Sequence, residues 1–291
     1  MDHSATRLNL SAAIASVVVA LILTGLKLWA LSVTGSLAIA AALADSALDF
    51  LVSASGLAAV AYAARPPDQD HAFGHSSVED LAALAQALFL MGVSGGLVVM
   101  AVRRFLSPDP VTLGSEGLGM AVMAVSIVLT LALIAWQRHV AGRTGNRVIM
   151  ADSLHYVGDL LPNIGAIVAL WASARFGVIG VDSLVALIAA GVLAVGALRI
   201  LSGAWHALMD RHADADLIAE IEAIIDGFPG ILGHHDMRTR TSGSRVFLDF
   251  HVEIDGSLSL REAHEIAAQL KRRILKTHPQ VDILIHKDPK A

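Results

Sequence analysis

The chain changes texture once. Up to about residue 208 the apolar residues gather in six stretches separated by short clusters of charge, proline and glycine; beyond that point charged residues recur every few positions and the apolar runs shorten. A helix needs about 20 mostly apolar residues to cross the hydrocarbon core of a bilayer. The stretches 10–33, 36–63, 80–102, 112–137, 147–174 and 180–208 are each long enough, so they predict six transmembrane helices. The first follows Asp2, His3 and Arg7 without a small-residue cleavage site, which predicts an uncleaved span and not a signal peptide. In the tail, Leu217, Ile218, Ile221, Ile224 and Ile225 have helical spacing, and Pro229 with Gly230 ends the pattern. Strand character marks residues 235–241, 246–252 and 281–285, with an amphipathic helix over 259–276 before the last of them. The predicted fold is a membrane all-α domain, residues 1–208, followed by an α+β domain, residues 209–291, whose helices share one face of the sheet.

Composition agrees with a membrane solvent: 55% of the 291 residues are hydrophobic and 16% charged, with a mean hydropathy of +0.64. An even number of spans puts both termini on one side. Placing that side in the cytoplasm sets Arg7, Arg65, Arg138, Arg143, Arg147 and Arg211 inside against Arg103, Arg104 and Arg175 outside, in line with the positive-inside tendency. The net charge of -5 and the lack of any dense Lys/Arg block exclude a nucleic-acid partner. With no cysteine, disulfides and thiolate chemistry are excluded too, and any metal site must be built from His, Asp and Glu.

Four ionisable residues lie deep in the apolar stretches. Asp45 and Asp49 are four apart in the second, and His155 and Asp159 repeat the spacing in the fifth, so each pair occupies one helix face. A charged group at the bilayer centre costs roughly 2.5–3.5 kcal/mol, so four of them call for a compensating partner. Three carboxylates and one imidazole close a tetrahedral shell around Zn²⁺ at bonds of about 2.0–2.2 Å. Metal and protons would compete for these groups, so an inward proton gradient could drive metal outward. The plainer alternative is a hydrogen-bonded polar seam between helices. Asp152 and Asp182, nearer the span ends, are expected to be interfacial or capping residues, and Lys27 and Arg199 to snorkel or pair with a lipid phosphate.

Outside the membrane, the loop Asp68-Gln69-Asp70-His71-Ala72-Phe73-Gly74-His75 offers carboxylates and two histidines four apart. In the tail His235, His251, His264, His286 and Asp288 fall at strand and helix positions that can converge. His234 points away from His235 if both lie on an extended strand.

Read in order, the segments Ala44 to Asp49, Asp70 to His75, Ala151 to Asp159, His235 to Arg240 and Ile285 to Pro289 resemble the cation diffusion facilitator family, within it the bacterial zinc and iron exporters, over nearly the whole chain. The resemblance implies a transport site of Asp45, Asp49, His155 and Asp159 and a loop site of Asp68, His71 and His75. It also implies a binuclear site of His235, His251, His264, His286 and Asp288 in a metallochaperone-like (ferredoxin-like) cytoplasmic tail at a homodimer interface. The implied activity is efflux of divalent metal across the bacterial inner membrane by zinc/proton antiport and alternating access, with Zn²⁺ transported and also bound, and H⁺ as counter-ion. His155 implies Zn²⁺ or Cd²⁺, with Fe²⁺ as a further cargo, since manganese-selective members tend to lack that histidine. One position departs: where relatives carry a Lys paired with an Asp at the end of the sixth span, this chain has Ser77 while Asp210 remains.

Two rival classes are open to the same residues. An intramembrane aspartyl protease would use two of the membrane carboxylates, but its Gly-x-Gly-Asp motif needs a glycine where Tyr156 stands. A non-transporting membrane metal sensor would use the tail as detector and the spans as anchor.

Overall fold

The computed structural model describes residues 3–34, 37–106, 117–160 and 181–290. One compact unit is Ala5–Ala204; a second is built from Trp205–Ala291. The first holds helices α1 (His3–Thr34), α2 (Leu37–Ala63), α3 (Ser77–Leu106), α4 (Gly117–Thr144) and α5, helical over residues 147–160, with most of α6 (Val181–Leu208). Among the described residues five stretches are long and apolar enough to cross a membrane: Ala5–Val33, Ser46–Ala63, Ser77–Arg103, Ala124–Thr144 and Leu187–Leu208. The predicted fifth span begins where α5 does, and its part beyond residue 160 lies outside the described residues.

Helix ends depart from the hydropathy limits for packing reasons. α1 starts before residue 10 and α4 continues past residue 137 because Leu8 and Ala12 meet Val140, Ala141 and Ile149 in one apolar cluster. Gly145, at φ 68, then turns the chain. Asn146 caps α5, its Oδ1 accepting from the backbone N–H groups of Val148 (3.0 Å) and Ile149 (3.1 Å). The same side chain donates to Glu79 Oε1 at 2.8 Å, and Arg147 pairs with Asp80 at 2.6 Å. These two bonds fasten the first turn of α5 to the first turn of α3.

Polarity in this unit is arranged as a lipid solvent requires. Large apolar side chains face outward, among them Leu21, Leu51, Met100 and Val128, while Ser16, Ser53, Ser94, Gln137, Asp152 and His155 are buried. A bilayer offers no hydrogen bonds to an exposed hydroxyl or carboxylate, so the polar groups turn inward to each other.

The second unit reverses this and has an apolar core. Its order is α7 (Ala215–Asp226), β1 (Gly233–Ser242), β2 (Arg245–Asp255), α8 (Leu260–Thr277) and β3 (Val281–Lys290). The sheet order is β1-β2-β3, antiparallel between the first pair and parallel between the second. Along β2, Val246, Leu248, Phe250, Val252 and Ile254 are buried in one cluster with Ile221 and Ile225 of α7 and Leu270 and Ile274 of α8. Both helices therefore cover one face, as the alternation predicts, and the odd-numbered positions of β2 are left to the other face. Asp214 caps α7, and Ser259 with Glu262 forms a capping box at α8.

A bulge in β1 decides where the histidines go. Arg238 pairs with Asp249 but His235 pairs with His251, and Asp236 between them has φ 50. The extra residue reverses the alternation, so His234 lies opposite buried Val252, on the helix face, and His235 lies beside His251 on the open face. His234 accordingly reaches Asp226 at the end of α7 (3.1 Å).

Leu248 is fully buried at the centre of the tail core. Replacing it with Ala is expected to destabilise this unit by about 3 kcal/mol, read as faster amide exchange in β2 and α8 of the full-length protein with exchange in α1 to α4 unchanged.

Candidate functional site

Three groups of metal-type side chains converge among the described residues. The membrane group is Asp49 from α2 with His155 and Asp159 from α5. His155 Nε2 lies 3.2 Å from Asp49 Oδ1 and 3.7 Å from Asp159 Oδ2, and the imidazole is almost wholly buried. The ring of Phe89 on α3 meets it edge-on at 5.9 Å. One ring nitrogen carries one proton and can donate along one direction, yet it faces two carboxylates. A cation between the three groups satisfies all of them. Donors on a tetrahedral shell with bonds of about 2.0 Å sit about 3.3 Å apart, close to the two separations found here. The side chain of Asp45 lies outside the described residues; its backbone is part of α2, one turn before Asp49.

The loop group sits between α2 and α3. Asp68 offers one oxygen to His71 Nδ1 and the other to His75 Nε2, each at 3.2 Å. The loop is folded around that carboxylate, whose Oδ1 also accepts from the backbone N–H groups of Asp70 (3.0 Å) and His71 (2.7 Å). These bonds, the His71 N–H foremost, hold the Asp68 carboxyl below the usual carboxylate range. His75 is buried with its edge against Tyr62, while Asp68 and His71 are half exposed. The site is therefore reachable from water and anchored from beneath.

In the tail, strand register builds the third group. His235, His251 and His286 are direct partners across β1, β2 and β3, with ring centroids 5.1 and 4.4 Å apart. Asp288 gathers them: its Oδ2 is 2.9 Å from His251 Nδ1 and 3.2 Å from His235 Nε2, and its Oδ1 is 2.7 Å from His286 Nδ1. The hydrogen bond from His251 is the main cause of an Asp288 carboxyl below the usual range. His264 is exposed on α8, which packs against the opposite face of the sheet, so a single chain does not bring it to this row. His278 instead faces Glu220 at 3.5 Å.

Two expectations are corrected. Asp152 is neither interfacial nor a cap: it is 5% exposed and accepts hydrogen bonds from Ser16 (2.5 Å), Ser53 (3.2 Å) and Gln137 (2.6 Å). Its nearness to the predicted span start hid this, because the buried polar seam extends to the first turns of α5. Lys27 does not snorkel; its ammonium donates to Ser46 Oγ on α2 at 2.5 Å. Asp182 lies outside the described residues. Asp210 faces Arg240 at 3.4 Å, and that guanidinium lies over the Phe247 ring.

Residues 13–209 match the cation efflux transmembrane domain, and residues 213–290 match the cytoplasmic domain of cation efflux proteins. The chain is 40% identical to the cation-efflux pump FieF of Yersinia enterocolitica, over 100% of this chain and 96% of that one. It is 38% identical to FieF of Escherichia coli K12, over 99% and 95%. Among solved structures, the metal-bound C-terminal domain of the CzcD transporter from Thermotoga maritima is 31% identical, covering 25% of this chain and 87% of that one, with a TM-score of 0.25. The chain belongs to the cation efflux family, the cation diffusion facilitators of FieF type, and is an integral membrane transporter of cations and not an enzyme.

Proposed function

We propose that this protein exports divalent transition-metal ions, Zn²⁺ foremost with Cd²⁺ and Fe²⁺ as further cargo, across the bacterial inner membrane in exchange for protons. The observation that carries the reading is the approach of Asp49, His155 and Asp159 from two helices, α2 and α5. Asp45 completes the set from the same face of α2 as Asp49. An O₃N shell of this kind suits Zn²⁺ and its chemical neighbours. Metal and protons compete for the same lone pairs, so a site that releases its ion on one side and takes up protons there couples the two flows. Alternation follows if the helices carrying the ligands open to one side at a time. Both termini are cytoplasmic in this reading, which puts the loop and tail groups on the side from which the ion is taken. The membrane domain ends near residue 208 and the cytoplasmic domain occupies residues 209–291.

The loop and tail groups are assigned as resident metal sites. Their donors, imidazole nitrogens and carboxylate oxygens 2.7–3.2 Å apart, fit Zn²⁺. In the tail, bound metal would tie β1, β2 and β3 together. His264 joins that site as a ligand from a second copy, which makes the tail a metal-dependent homodimer contact.

Two measurements test this. In proteoliposomes with an imposed pH gradient, the intact protein is expected to move Zn²⁺ with counter-movement of protons, and Asp49→Ala to bring flux to background. Zinc binding without flux in folded protein would contradict export and fit a sensor. For the tail, zinc at 100 times its dissociation constant is expected to stabilise the unit by about 2.7 kcal/mol, seen as a rise in its unfolding temperature that chelation reverses. Asp288→Ala is expected to abolish that rise.

A further inference from the structure

Behind the membrane ligands lies a second polar cluster that the transport reading does not use. Asp152 of α5 takes hydrogen bonds on both oxygens: Oδ2 from Ser16 of α1 (2.5 Å) and Gln137 of α4 (2.6 Å), and Oδ1 from Ser53 of α2 (3.2 Å). The Tyr156 hydroxyl joins them 3.0 Å from Ser53 Oγ. Tyr156 and Ser16 are also essentially buried. Four helices thus meet at one carboxylate, and among the described residues its hydrogen-bond donors Ser16, Ser53 and Gln137 are neutral groups.

The spacing relates this cluster to the ligands. Ser53 is four residues after Asp49 on α2, and Asp152 is three residues before His155 on α5, so each lies about one turn from a ligand on its own helix. The Ser53 to Asp152 bond and the 3.2 Å approach of Asp49 to His155 are two successive rungs between the same two helices. Gln137 supplies the sharpest sign of what the cluster demands. Its Nε2 donates to Asp152 while its Oε1 is buried with no hydrogen-bond partner among the described residues. The amide is committed to donating even though its own acceptor goes unmatched, which costs free energy. An acceptor at Asp152 accounts for that orientation.

We infer that Asp152 is a positioning residue for the transport site: as the common acceptor of α1, α2 and α4 it fixes the rotation and height of α5, so that His155 and Asp159 meet Asp49. The inference rests on the transport-site reading above. Asp152 is not a further ligand in this reading, because both its oxygens are already engaged by donors from α1, α2 and α4.

The test uses the full-length protein with His71→Ala and His75→Ala in the loop and His251→Ala, His286→Ala and Asp288→Ala in the tail, which removes both histidines of the loop group and the shared carboxylate with two histidines of the tail row, and reads both the Zn²⁺ dissociation constant by titration and the KM and kcat for Zn²⁺ flux. Asp152→Ala is expected to weaken binding and raise KM by about 10-fold or more, with kcat falling less. Asp152→Asn keeps the shape, and Gln137 can turn its free oxygen toward the new amide, so this variant is expected to recover most of the affinity. A folded Asp152→Ala protein with unchanged dissociation constant and KM would overturn the inference. So would an Asn variant as weak as the Ala variant, since that would make the charge itself the contributor. If Asp152→Ala fails to fold, the Ser16→Ala/Ser53→Ala double variant takes its place: weakened binding supports the inference and unchanged binding overturns it. The transport reading fails separately, by zinc binding at the membrane site without flux in the parent protein.

Discussion

The approach of Asp49 to His155 across α2 and α5 is the interaction on which the rest depends. A carboxylate and an imidazole at membrane depth lose their hydration, and each is tolerated only against a partner of suitable charge or hydrogen-bonding capacity. The helices must therefore be held at a spacing that keeps the two side chains within reach of each other. The sequence meets that requirement with polar side chains turned inward and apolar ones turned to lipid. Ser16, Ser53, Gln137 and Tyr156, with Asp152, crosslink α1, α2, α4 and α5, and Asn146 and Arg147 anchor the start of α5.

The tail solves a different problem with a different solvent. It has an apolar core of its own under one face of a three-stranded sheet, which leaves the other face free for chemistry. Register does the rest: three histidines become neighbours because β1, β2 and β3 pair them directly, and one carboxylate from the end of β3 reaches all three. Such a row is shallow and open on one side. In the function proposed above, an open row at the surface is completed by another chain, whereas the buried membrane group takes an ion in transit.

Much of this was legible in the order of residues because the constraints are periodic. Apolar length marks a span, and a four-residue interval places Asp49 near Asp45 and His155 near Asp159 on their helices whatever the tertiary structure does. The alternation in β2 told which face is buried. What was not legible depends on contacts between helices or on a single irregular residue. Asp152 stands near a span start and reads as a cap until Ser16, Ser53 and Gln137, distant in sequence, are seen to surround it. Lys27 reads as a snorkelling side chain until Ser46 is found within its reach. The choice between His234 and His235 turns on a bulge at Asp236 that no periodicity announces. His264 matches the family pattern in sequence, but its helix lies on the wrong face for the same chain.

The central claim is that the membrane carboxylates and His155 hold the transported ion together. The most direct measurement is X-ray absorption spectroscopy of Zn²⁺ bound to full-length protein in which His71 and His75 of the loop and His251, His286 and Asp288 of the tail are replaced, leaving the membrane group intact. The account predicts one zinc per chain with a first shell of oxygen and a single imidazole nitrogen at about 2.0 Å, and loss of the imidazole scattering on His155→Ala. A shell of water oxygens alone, or an imidazole signal that survives the loss of His155, would contradict it.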